Sequence, residues 1–508
     1  MNSSNRSRRD FLAGTAALAL GGKMVGRNKA KKPNLLFLWT DEQRADTMSI
    51  YGNRKIHAPN LNKLAGESLV FKNAYVSQPV CTPSRSTVMT GLWPHANSCM
   101  ENNTPLPENI PCFPEILDDP EYRTGYFGKW HLGDEIFLQH GFEEWESIED
   151  GYKKYYRVGR DFGQKSSYWH FLTSLGYKPD TPQGDFSRGF AAHLPIEHCK
   201  PKFLELQACD FLRRHRNTPF ILYVNFLEPH MPFYGPLNNE HDPEELPLPP
   251  NFNDPLEDVE PLRYRLLREH YHNEGFDGHD LKTERGWRRL MANYWGLVTQ
   301  VDLSVGAMLE TLEQLGLADH TLVVYTSDHG DMMGSHKLLA KTVMYEEAVK
   351  VPWLMRVPQL GLNQKVIENP VSHIDMVPTL MDLMGKRPGD LFPGQSLAPL
   401  IRGGTVKEDH VYIEWNPAVL RDKTPHSIPT VSPEDVQRVH RAYTRTVISP
   451  DGWKLCLSDQ DNSQLFNLKE DPGETNNLFY TNVHKDIIAN LTKKIDAWQE
   501  RAKDTATV

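Results

Sequence analysis

Four apolar runs of strand length, separated by segments with helical periodicity, constrain the fold of this chain more than any other feature. The runs lie at residues 34–40, 124–127, 220–226 and 321–326. They are apolar at nearly every position, which is typical of strands buried on both faces. Helical patterns lie between them, at 61–67, 201–214 and 294–315. This alternation predicts an α/β fold with a large, mainly parallel sheet flanked by helices.

The pattern changes after a Pro- and Gly-rich segment at residues 388–404. Short strand-like segments follow at 410–414, 441–448, 452–458 and 465–468, and an amphipathic helical pattern covers 485–502. Turn signals such as Pro450-Asp451-Gly452 separate the strand-like segments. We therefore expect a large α/β domain over 33–390 and a smaller C-terminal α+β subdomain over 391–508, with a small antiparallel sheet and a terminal helix.

Residues 1–32 resemble a twin-arginine export signal. Arg8 and Arg9 precede Phe11-Leu12 and an apolar run that ends near Gly22. That run is too short to span a bilayer as a stable helix. We expect an exported protein, periplasmic or extracellular, without stable membrane insertion. The alternative interpretation of this segment is a basic disordered tail.

Charge and cysteine content exclude some functions. The formal net charge is -10, and residues 1–32 carry eight basic side chains and one acidic one, so the remainder carries -17. This net negative charge argues against general nucleic-acid binding. An anionic substrate would therefore need a local cationic pocket. The six cysteines are irregularly spaced and do not indicate a disulfide framework, although Cys99 and Cys112 could bridge.

Polar side chains follow each of the four apolar runs, where the predicted strands end. In a parallel sheet the carboxyl ends of the strands meet at one edge, and ligands bind there. We therefore expect these side chains to share one site. They are Asp41 and Glu42 after the first run, Lys129 and His131 after the second, His230 after the third, and Asp328 and His329 after the fourth.

Two of these strand ends are acidic, which predicts a metal site. A single acidic dipeptide is usually a solvated turn, but two at corresponding strand ends repel each other unless a cation lies between them. Oxygen-rich sites favour hard cations, so calcium is the first choice and magnesium the second. Asp41, Glu42, Asp328 and His329 are the candidate ligands.

Residues 81–91, Cys-Thr-Pro-Ser-Arg-Ser-Thr-Val-Met-Thr-Gly, predict a short helix that begins beside a cysteine. Thr82 is placed to cap it, Pro83 suits its first position and Gly91 its exit. The free N–H groups at its start and the Arg85 cation would form an anion-binding pocket around Cys81. The alternative is a capped helix start with a buried thiol.

Four of the candidate residues have weaker local signals. Lys129 and His131 are two apart and flanked by Gly128 and Gly133, so they can face the same side with the backbone close by. His230 lies between two prolines, in Glu-Pro-His-Met-Pro. Lys341, considered alone, is most simply a surface charge.

Cys81-Thr82-Pro83-Ser84-Arg85 resembles the Cys-x-Pro-x-Arg signature of the type I, formylglycine-dependent sulfatases of the alkaline phosphatase superfamily. Further segments are similar to that family, at 122–133, 327–331, 341–347 and 465–474. The resemblance extends from about residue 33 to about residue 478. Two positions depart from it: Glu42 stands where many relatives have Asp, and His329 where many have Asn. Imidazole is a poorer calcium ligand than an amide oxygen.

The resemblance implies a sulfuric ester hydrolase that removes sulfate from a sulfated sugar or polysaccharide. A maturation enzyme would convert Cys81 to formylglycine, which would join the metal ligands, and its hydrate would attack sulfur and later expel sulfate. Arg85, Lys129 and Lys341 would hold the sulfate with the metal. His131 would assist sulfate release, and His230, together with Lys341, would protonate the leaving alcohol.

Other functions remain open on the sequence. A phosphonate monoester or phosphodiester hydrolase shares the fold, and its substrates are tetrahedral and anionic too. A thiol hydrolase that uses Cys81 directly is a weaker alternative. A non-catalytic sulfoglycan-binding protein with an unconverted cysteine is a different class, but such a module has no need of a complete acid–base set.

Overall fold

A nine-stranded, mainly parallel sheet forms the centre of the computed structural model, which describes residues 32–361, 363–389, 392–417 and 430–508. Its strand order is β4-β3-β5-β1-β6-β8-β2-β7, with β9 paired to β2. β7 and β8 are antiparallel to β2. The strands are β1 (Asn34–Asp41), β2 (Leu69–Tyr75), β3 (Arg123–Gly128), β4 (Glu144–Glu146), β5 (Phe220–Pro229), β6 (Thr321–Ser327), β7 (Lys350–Val351), β8 (Trp353–Arg356) and β9 (Lys365–Ser372).

The helices alternate with these strands, which confirms the predicted α/β architecture. Within the described residues none is long and apolar enough to cross a bilayer. The helices are α1 (Pro59–Gly66), α2 (Cys81–Thr90), α3 (Pro94–Asn97), α4 (Phe113–Leu117), α5 (Ser167–Ser174), α6 (Arg188–Ala192), α7 (Lys200–Arg214), α8 (Leu262–Glu274), α9 (Glu284–Gln314), α10 (Glu346–Val349), α11 (Met376–Leu383), α12 (Ala398–Ile401), α13 (Pro433–His440) and α14 (Lys485–Ala502).

Both faces of the large sheet are buried, which explains the continuous apolar runs. Along β1, Leu35, Phe37 and Trp39 belong to one apolar cluster. Leu36 and Leu38 belong to the cluster on the opposite face. Successive side chains of a strand point to opposite faces, so a central strand covered by helices on both sides is apolar throughout.

A second, four-stranded antiparallel sheet lies near the C-terminus, as predicted. Its strands, in spatial order, are β10 (Val411–Trp415), β11 (Thr444–Ile448), β12 (Trp453–Ser458) and β13 (Gln464–Asn467). The terminal helix α14 packs against β11 and β12. Residues 33–508 form one compact unit, and the domain boundary near 390 stays a prediction. The predicted export signal at 1–32 lies outside the described residues, apart from its last residue.

Helix α9 begins earlier than its sequence pattern predicted. The apolar pattern starts at 294, whereas the helix begins at Glu284 with Thr283 as its cap, whose side chain accepts from the Gly286 N–H. The first turns of α9 are rich in Arg, yet they bury Trp287 and Leu290 against the segment before them. Residues 235–290, which are polar and rich in His, Asp and Glu, therefore contain α8 and the start of α9.

Candidate active site

The four predicted strand ends meet at one edge of the large sheet. β3, β5, β1 and β6 are consecutive and mutually parallel in the sheet. The strands remain paired up to their ends: Gly128 lies opposite Asn225, Asp41 opposite Pro229, and Thr40 opposite Ser327. The parallel pairing of these strands therefore places the polar residues that follow them close together.

Helix α2 begins at Cys81 and delivers this buried side chain to the same edge. The expected Thr82 cap is wrong, because the N-cap is Val80, which has no side-chain bond to the helix. Thr82 lies inside the helix, and its hydroxyl donates to the carbonyl oxygen of His131 at 2.8 Å. Gly91 ends the helix as predicted, with a φ of 69° and its N–H bonded to the carbonyl of Thr87.

Arg85 is fully buried and joins three of the converging segments. Its Nη2 donates to Asp41 Oδ2 and its Nε to Asp328 Oδ2, each at 2.8 Å. Its Nη1 donates to the carbonyl oxygen of Lys129 at 2.8 Å, and its guanidinium lies 5.0 Å from the Trp39 ring. Arg85 therefore fixes the orientation of two carboxylates, which a single ammonium group would not do.

Asp41 lies at the centre of the charged cluster. Besides Arg85, its Oδ2 accepts a hydrogen bond from Lys129 Nζ, and all three side chains are buried. Burial alone would raise the pKa of Asp41, but Lys129, His230 and Arg85 outweigh it and hold the pKa well below its usual range. Asp41 is therefore an anion in the folded protein.

Four side chains of this cluster form a candidate metal site. One ligand atom from each of Asp41, Cys81, Asp328 and His329 lies within 4.8 Å of the others. His329 Nδ1 donates to the Gly330 carbonyl at 2.8 Å, so its Nε2 lone pair faces Cys81 Sγ at 3.2 Å. Nε2 also lies 3.5 Å from Asp328 Oδ1 and 3.7 Å from Asp41 Oδ1.

The donor set fits a divalent cation. Two carboxylates and an imidazole that is held by its hydrogen bond to the Gly330 carbonyl make a typical ligand set. Arg85 holds the two Oδ2 atoms, while the Oδ1 atoms face His329 and that of Asp328 also accepts the Glu42 N–H at 3.1 Å. The carboxylates suit calcium or magnesium, whereas the imidazole also suits softer ions. The identity of the ion as calcium stays a prediction.

Glu42 has a different environment from the other predicted ligands. Its backbone has a φ of 71°, and its Oε2 lies 3.0 Å from Lys341 Nζ and 3.4 Å from His230 Nε2. It shares a separate ligand group with Asp41 and His230. Burial raises the pKa of Glu42 to about 8, although Lys341 opposes this. Glu42 stays a predicted ligand, whose carboxylate also links Lys341 to His230.

His131 is held with one ring nitrogen free. Its Nε2 donates to Asn103 Oδ1 at 2.9 Å, and its ring lies 4.6 Å from the Tyr152 ring. Its buried Nδ1 has no hydrogen-bond partner among the described residues. Burial, followed by Lys129 and Arg85, holds the pKa of His131 well below its usual range. The imidazole is therefore neutral and presents an available lone pair.

Lys341 and His230 complete the cluster. Burial would lower the pKa of Lys341, but Cys81, Glu42 and Asp41 outweigh it and raise the pKa well above its usual range. His230 Nδ1 donates to the Met231 carbonyl at 2.8 Å, and burial and Lys341 keep the pKa of His230 well below normal. The structure thus brings all ten predicted site residues together, including Lys341, which looked like a surface charge.

Sequence reasoning missed several residues that support the site. Asn103 and Tyr152 contact His131, and Arg188 donates to Tyr152 Oη at 2.8 Å and to Glu149 Oε2 at 2.6 Å. Glu135 accepts from the backbone N–H groups of Trp130 and His131 at 2.8 and 2.6 Å. Asn103 and Tyr152 lie in loops without periodic patterns, and the only local signal was the density of aromatic and basic residues at 152–165.

The chain is similar to known proteins over nearly its whole described length. The sulfatase family model matches residues 33–386. The chain is 26% identical to an ulvan-active sulfatase of Formosa agariphila, over 92% of this chain and 82% of that protein. It is 24% identical to an N-acetylglucosamine-6-O-sulfatase of Bacteroides thetaiotaomicron, over 94% and 88%.

A solved structure shows the same fold. The phosphonate monoester hydrolase of Agrobacterium radiobacter superposes with a TM-score of 0.75, covering 93% of this chain and 96% of that one. The sequence identity is 19%, so this likeness concerns the fold alone.

Proposed function

The chain belongs to the sulfatase family of the alkaline phosphatase superfamily and is a sulfuric ester hydrolase, and we propose that it removes sulfate from a sulfated sugar through a formylglycine made from Cys81. One observation carries this proposal. Cys81 lies at the start of α2, buried between Asp41 and His329, with Lys129 and Lys341 nearby. Burial, then Asp41, raises the pKa of the Cys81 thiol to about 11, so the encoded thiol is a poor nucleophile near neutral pH.

Two groups that the family implies would complete the site. A divalent cation held by Asp41, Asp328, His329 and residue 81 would neutralise charge on the sulfate oxygens. Hydrated formylglycine carries two hydroxyls on one carbon, of which one serves as nucleophile and the other allows sulfate to be expelled. A maturation enzyme that acts on the cysteine is therefore a partner of this chain.

Lys129 and Lys341 supply positive charge for the sulfate group. Both ammonium groups are buried and remain protonated, because the carboxylates beside them raise their pKa against the effect of desolvation. Such fixed cations in a water-poor site stabilise the charge that develops on sulfuryl oxygens. Arg85 acts indirectly, since its donors to Asp41, Asp328 and Lys129 fix the positions of these groups.

His131 is assigned as the base that removes a proton from the second hydroxyl of residue 81. Asn103 holds its Nε2–H, which leaves Nδ1 as the available lone pair. Thr82, the neighbour of residue 81, donates to the His131 carbonyl at 2.8 Å and ties the two segments together. A neutral imidazole with an available nitrogen lone pair is in the protonation state that a general base requires.

His230 and Lys341 are assigned as the pair that protonates the leaving alcohol. Both face Glu42 Oε2, at 3.4 Å and 3.0 Å. Lys341 keeps its proton in the folded protein, whereas His230 presents Nε2 without one when neutral, because its Nδ1–H donates to Met231. The proton for the leaving oxygen therefore comes from Lys341, and His230 orients it or shares it.

A sulfated sugar is the substrate class that the relatives favour. One acts on ulvan and another on N-acetylglucosamine-6-O-sulfate by name. Export through the segment at 1–32 would place the enzyme in the periplasm or outside the cell, where such polysaccharides occur. Calcium as the ion and twin-arginine export remain parts of this proposal.

The test is sulfate release by protein produced with and without a formylglycine-generating enzyme. Matured protein should release inorganic sulfate from sulfated sugars and from 4-nitrophenyl sulfate, and should act far less on the matched 4-nitrophenyl phosphonate ester. Preference for the phosphonate would contradict the assignment. Full activity of protein whose residue 81 remains cysteine would contradict the proposed nucleophile.

A further inference from the structure

Lys341 lies in a segment without regular secondary structure, so other parts of the chain must hold it in place. It follows a short 3-10 turn at Ser335–Lys337 and precedes α10, which begins at Glu346. Both of its neighbours, Ala340 and Thr342, have left-handed backbones, with φ of 64° and 81°. A β-branched residue such as threonine rarely adopts a positive φ, and such a conformation persists only where the surrounding structure enforces it.

Hydrogen bonds fix the backbone on both sides of Lys341. Before it, the Ala340 N–H donates to Asp331 Oδ1 at 3.2 Å, within the same loop. After it, the Thr342 N–H donates to the carbonyl of Pro79, just before α2, at 3.3 Å. The Thr342 carbonyl accepts a hydrogen bond from Arg263 Nη2. The side chain of Arg263 thus reaches the residue directly after Lys341 from a different element.

Arg263 lies in the first turn of α8 and is itself fixed by the small sheet. Asp461, in the turn between β12 and β13, accepts the backbone N–H groups of Leu262 and Arg263 at 2.8 and 3.0 Å. The Arg263 guanidinium lies 4.2 Å from the ring of Trp415 in β10, a cation–π contact. Both the backbone and the guanidinium of Arg263 are therefore anchored before it reaches Thr342.

The first turn of α8 holds the same segment at a second point. The hydroxyl of the buried Tyr264 accepts the Met344 N–H at 2.9 Å. At the other end of the side chain that these bonds support, Lys341 Nζ lies 3.0 Å from Glu42 Oε2. A shift of the backbone at 341 would carry the ammonium away from the reacting oxygen, and a displacement of about 1 Å can cost on the order of 100-fold in rate.

We propose that Arg263 is a positioning residue for the proton donor Lys341, and that its bond to the Thr342 carbonyl keeps the Lys341 ammonium where it meets the leaving oxygen. The inference rests on the proposed function and adds to it a residue outside the charged cluster. Through Asp461 and Trp415, which fix Arg263, the small sheet takes part in placing the acid of the reaction.

The test compares kcat/KM for two aryl sulfates whose leaving oxygens differ in their need for a proton. 4-Nitrophenolate leaves readily without one, whereas phenol has a pKa near that of tyrosine, about 10, so phenyl sulfate depends more on an acid. Because kcat/KM reports the steps up to release of the phenol, the later expulsion of sulfate does not mask the effect. We expect Arg263→Met to lower kcat/KM on phenyl sulfate at least about tenfold more than on 4-nitrophenyl sulfate.

A double-mutant cycle shows whether Arg263 acts through Lys341. Lys341→Ala should show the same difference between the two esters. In the Lys341→Ala background, Arg263→Met should lower kcat/KM on phenyl sulfate by less than about threefold further, because the group that it positions is already absent. Independent, multiplicative losses in the double variant would contradict the inference.

Controls separate a positioning role from a general structural one. Arg265, on the same helix, pairs with the exposed Asp258, so Arg265→Met should leave both values within about twofold of the wild type. If Arg263→Met does not fold, Arg263→Lys keeps a cation beside Trp415 but loses the planar fork, and the two esters should still differ by at least about threefold. Equal losses on both esters, or no loss, in the variant that folds overturns the inference. A matured wild-type enzyme that acts on neither ester nor on any sulfated sugar contradicts the proposed function instead.

Discussion

Asn103 sets the chemical state of His131 through a single hydrogen bond. Its Oδ1 accepts the Nε2–H of His131 at 2.9 Å, which selects the tautomer with a free Nδ1. Asn103 has a φ of 66°, a left-handed conformation that Asn and Gly adopt more readily than other residues. The residue is therefore suited both to its turn and to its partner.

Replacement of Asn103 should lower turnover without preventing folding. Asn103→Gly keeps the left-handed backbone and removes the acceptor, so we expect kcat to fall on the order of 10- to 100-fold with KM little changed. Asn103→Asp keeps an acceptor but adds a negative charge, which raises the pKa of His131. Because the neutral imidazole is the active form, the acidic limb of the pH–rate profile should move to higher pH. Steady-state kinetics between pH 5 and 9, as a rough range around the usual pKa of histidine, measures both effects.

The control for this prediction is Asn109→Ala, at an exposed position of the same loop region. It should leave kcat and the pH profile unchanged. Wild-type kcat in Asn103→Gly would show that the Asn103 contact does not position the base.

At the residue scale, sequence reasoning found groups that a strand end or a motif marks. The residues after β1, β3, β5 and β6 could be predicted because parallel strands deliver their ends to one edge. Tyr152, Arg188 and Glu149 could not, because their loops reach the site by long-range packing and no local pattern encodes it. The contacts of Arg85 were not predicted either: the fully buried side chain donates to the carboxylates Asp41 and Asp328 and to the Lys129 carbonyl.

A single methyl group added at the end of β3 would disturb the site, because no space is available for it there. Gly128 has a φ of 115°, and a Cβ there would lie 1.8 Å from the carbonyl oxygen of Asn225 on the neighbouring β5. Gly128→Ala should therefore separate β3 from β5 and displace Lys129 and His131, costing about 1–3 kcal/mol in backbone strain alone. We expect a lower melting temperature and at least a roughly 100-fold loss of sulfate release.

Gly151→Ala is the matched control, because it has ordinary φ and no atom within 4 Å of the added carbon. It should preserve both melting temperature and activity. If Gly128→Ala melts and turns over like the wild type, β3 and β5 do not approach as described.

Asp504, shortly after the C-terminal helix α14, forms a buried ion pair with Arg445 of the small sheet. Asp504 accepts from Arg445 Nε at 2.6 Å and from Nη2 at 2.9 Å, and both side chains are buried. Burial would raise the pKa of Asp504, but its hydrogen bonds to Arg445 lower it to about 2. The folded pKa lies below the unfolded value of about 3.9, so this pair stabilises the fold above that value and the contribution is lost as pH falls toward 2.

Asp504→Asn should lower the free energy of unfolding by about 2 kcal/mol at pH 7. The difference from the wild type should shrink as pH falls from about 5 toward 2, because the unfolded chain binds a proton at Asp504 below about 3.9 whereas the folded protein does so only near 2. Urea denaturation at each pH measures the difference in the free energy of unfolding. The control is Asp496→Ala, at an exposed position of α14. A difference that stays constant with pH would contradict the ion pair.

At the element scale, the apolar strands were predictable, whereas the first residues of α2 and α9 and the antiparallel edge of the large sheet were not. The central strands are buried on both faces, so their sequences alone identify them. β2 and β9 include exposed or half-exposed residues, among them Lys72 in β2 and Pro370 in β9, and they read as polar segments. Their pairing depends on packing between distant parts of the chain, which periodicity does not encode.

At the scale of the molecule, the small sheet is tied to the segments that hold the site. The Glu414 N–H donates to the carbonyl of Ser77, and Asn416 Nδ2 donates to Gln78 Oε1, both at 2.9 Å, shortly before Cys81. Buried Lys454 pairs with Glu346, five residues after Lys341, at 3.0 Å. The C-terminal sheet thus buttresses both the Cys81 segment and the Lys341 segment.

A chain that ends at residue 409 should not form a working site. Loss of β10–β13 leaves Glu346 without Lys454 and exposes the apolar residues that pack on the small sheet, so we expect poor solubility, no cooperative thermal transition and no sulfate release. Circular dichroism melts and a sulfate assay measure these outcomes. The control begins at residue 33 and keeps the C-terminus, and it should melt cooperatively. A soluble, active chain that ends at residue 409 would mean that the large sheet folds and works without the small one.

The proposed mechanism depends on conversion of Cys81 to formylglycine inside the charged cluster. The most direct test measures, by mass spectrometry of the peptide that contains residue 81, the fraction of formylglycine in preparations matured to different extents, and compares it with sulfate release by the same preparations. The account predicts activity proportional to that fraction, extrapolating to zero when residue 81 is entirely cysteine, with unchanged melting behaviour in Cys81→Ala. Substantial sulfate release by unconverted protein, or none by fully converted protein on any sulfate ester, would contradict it.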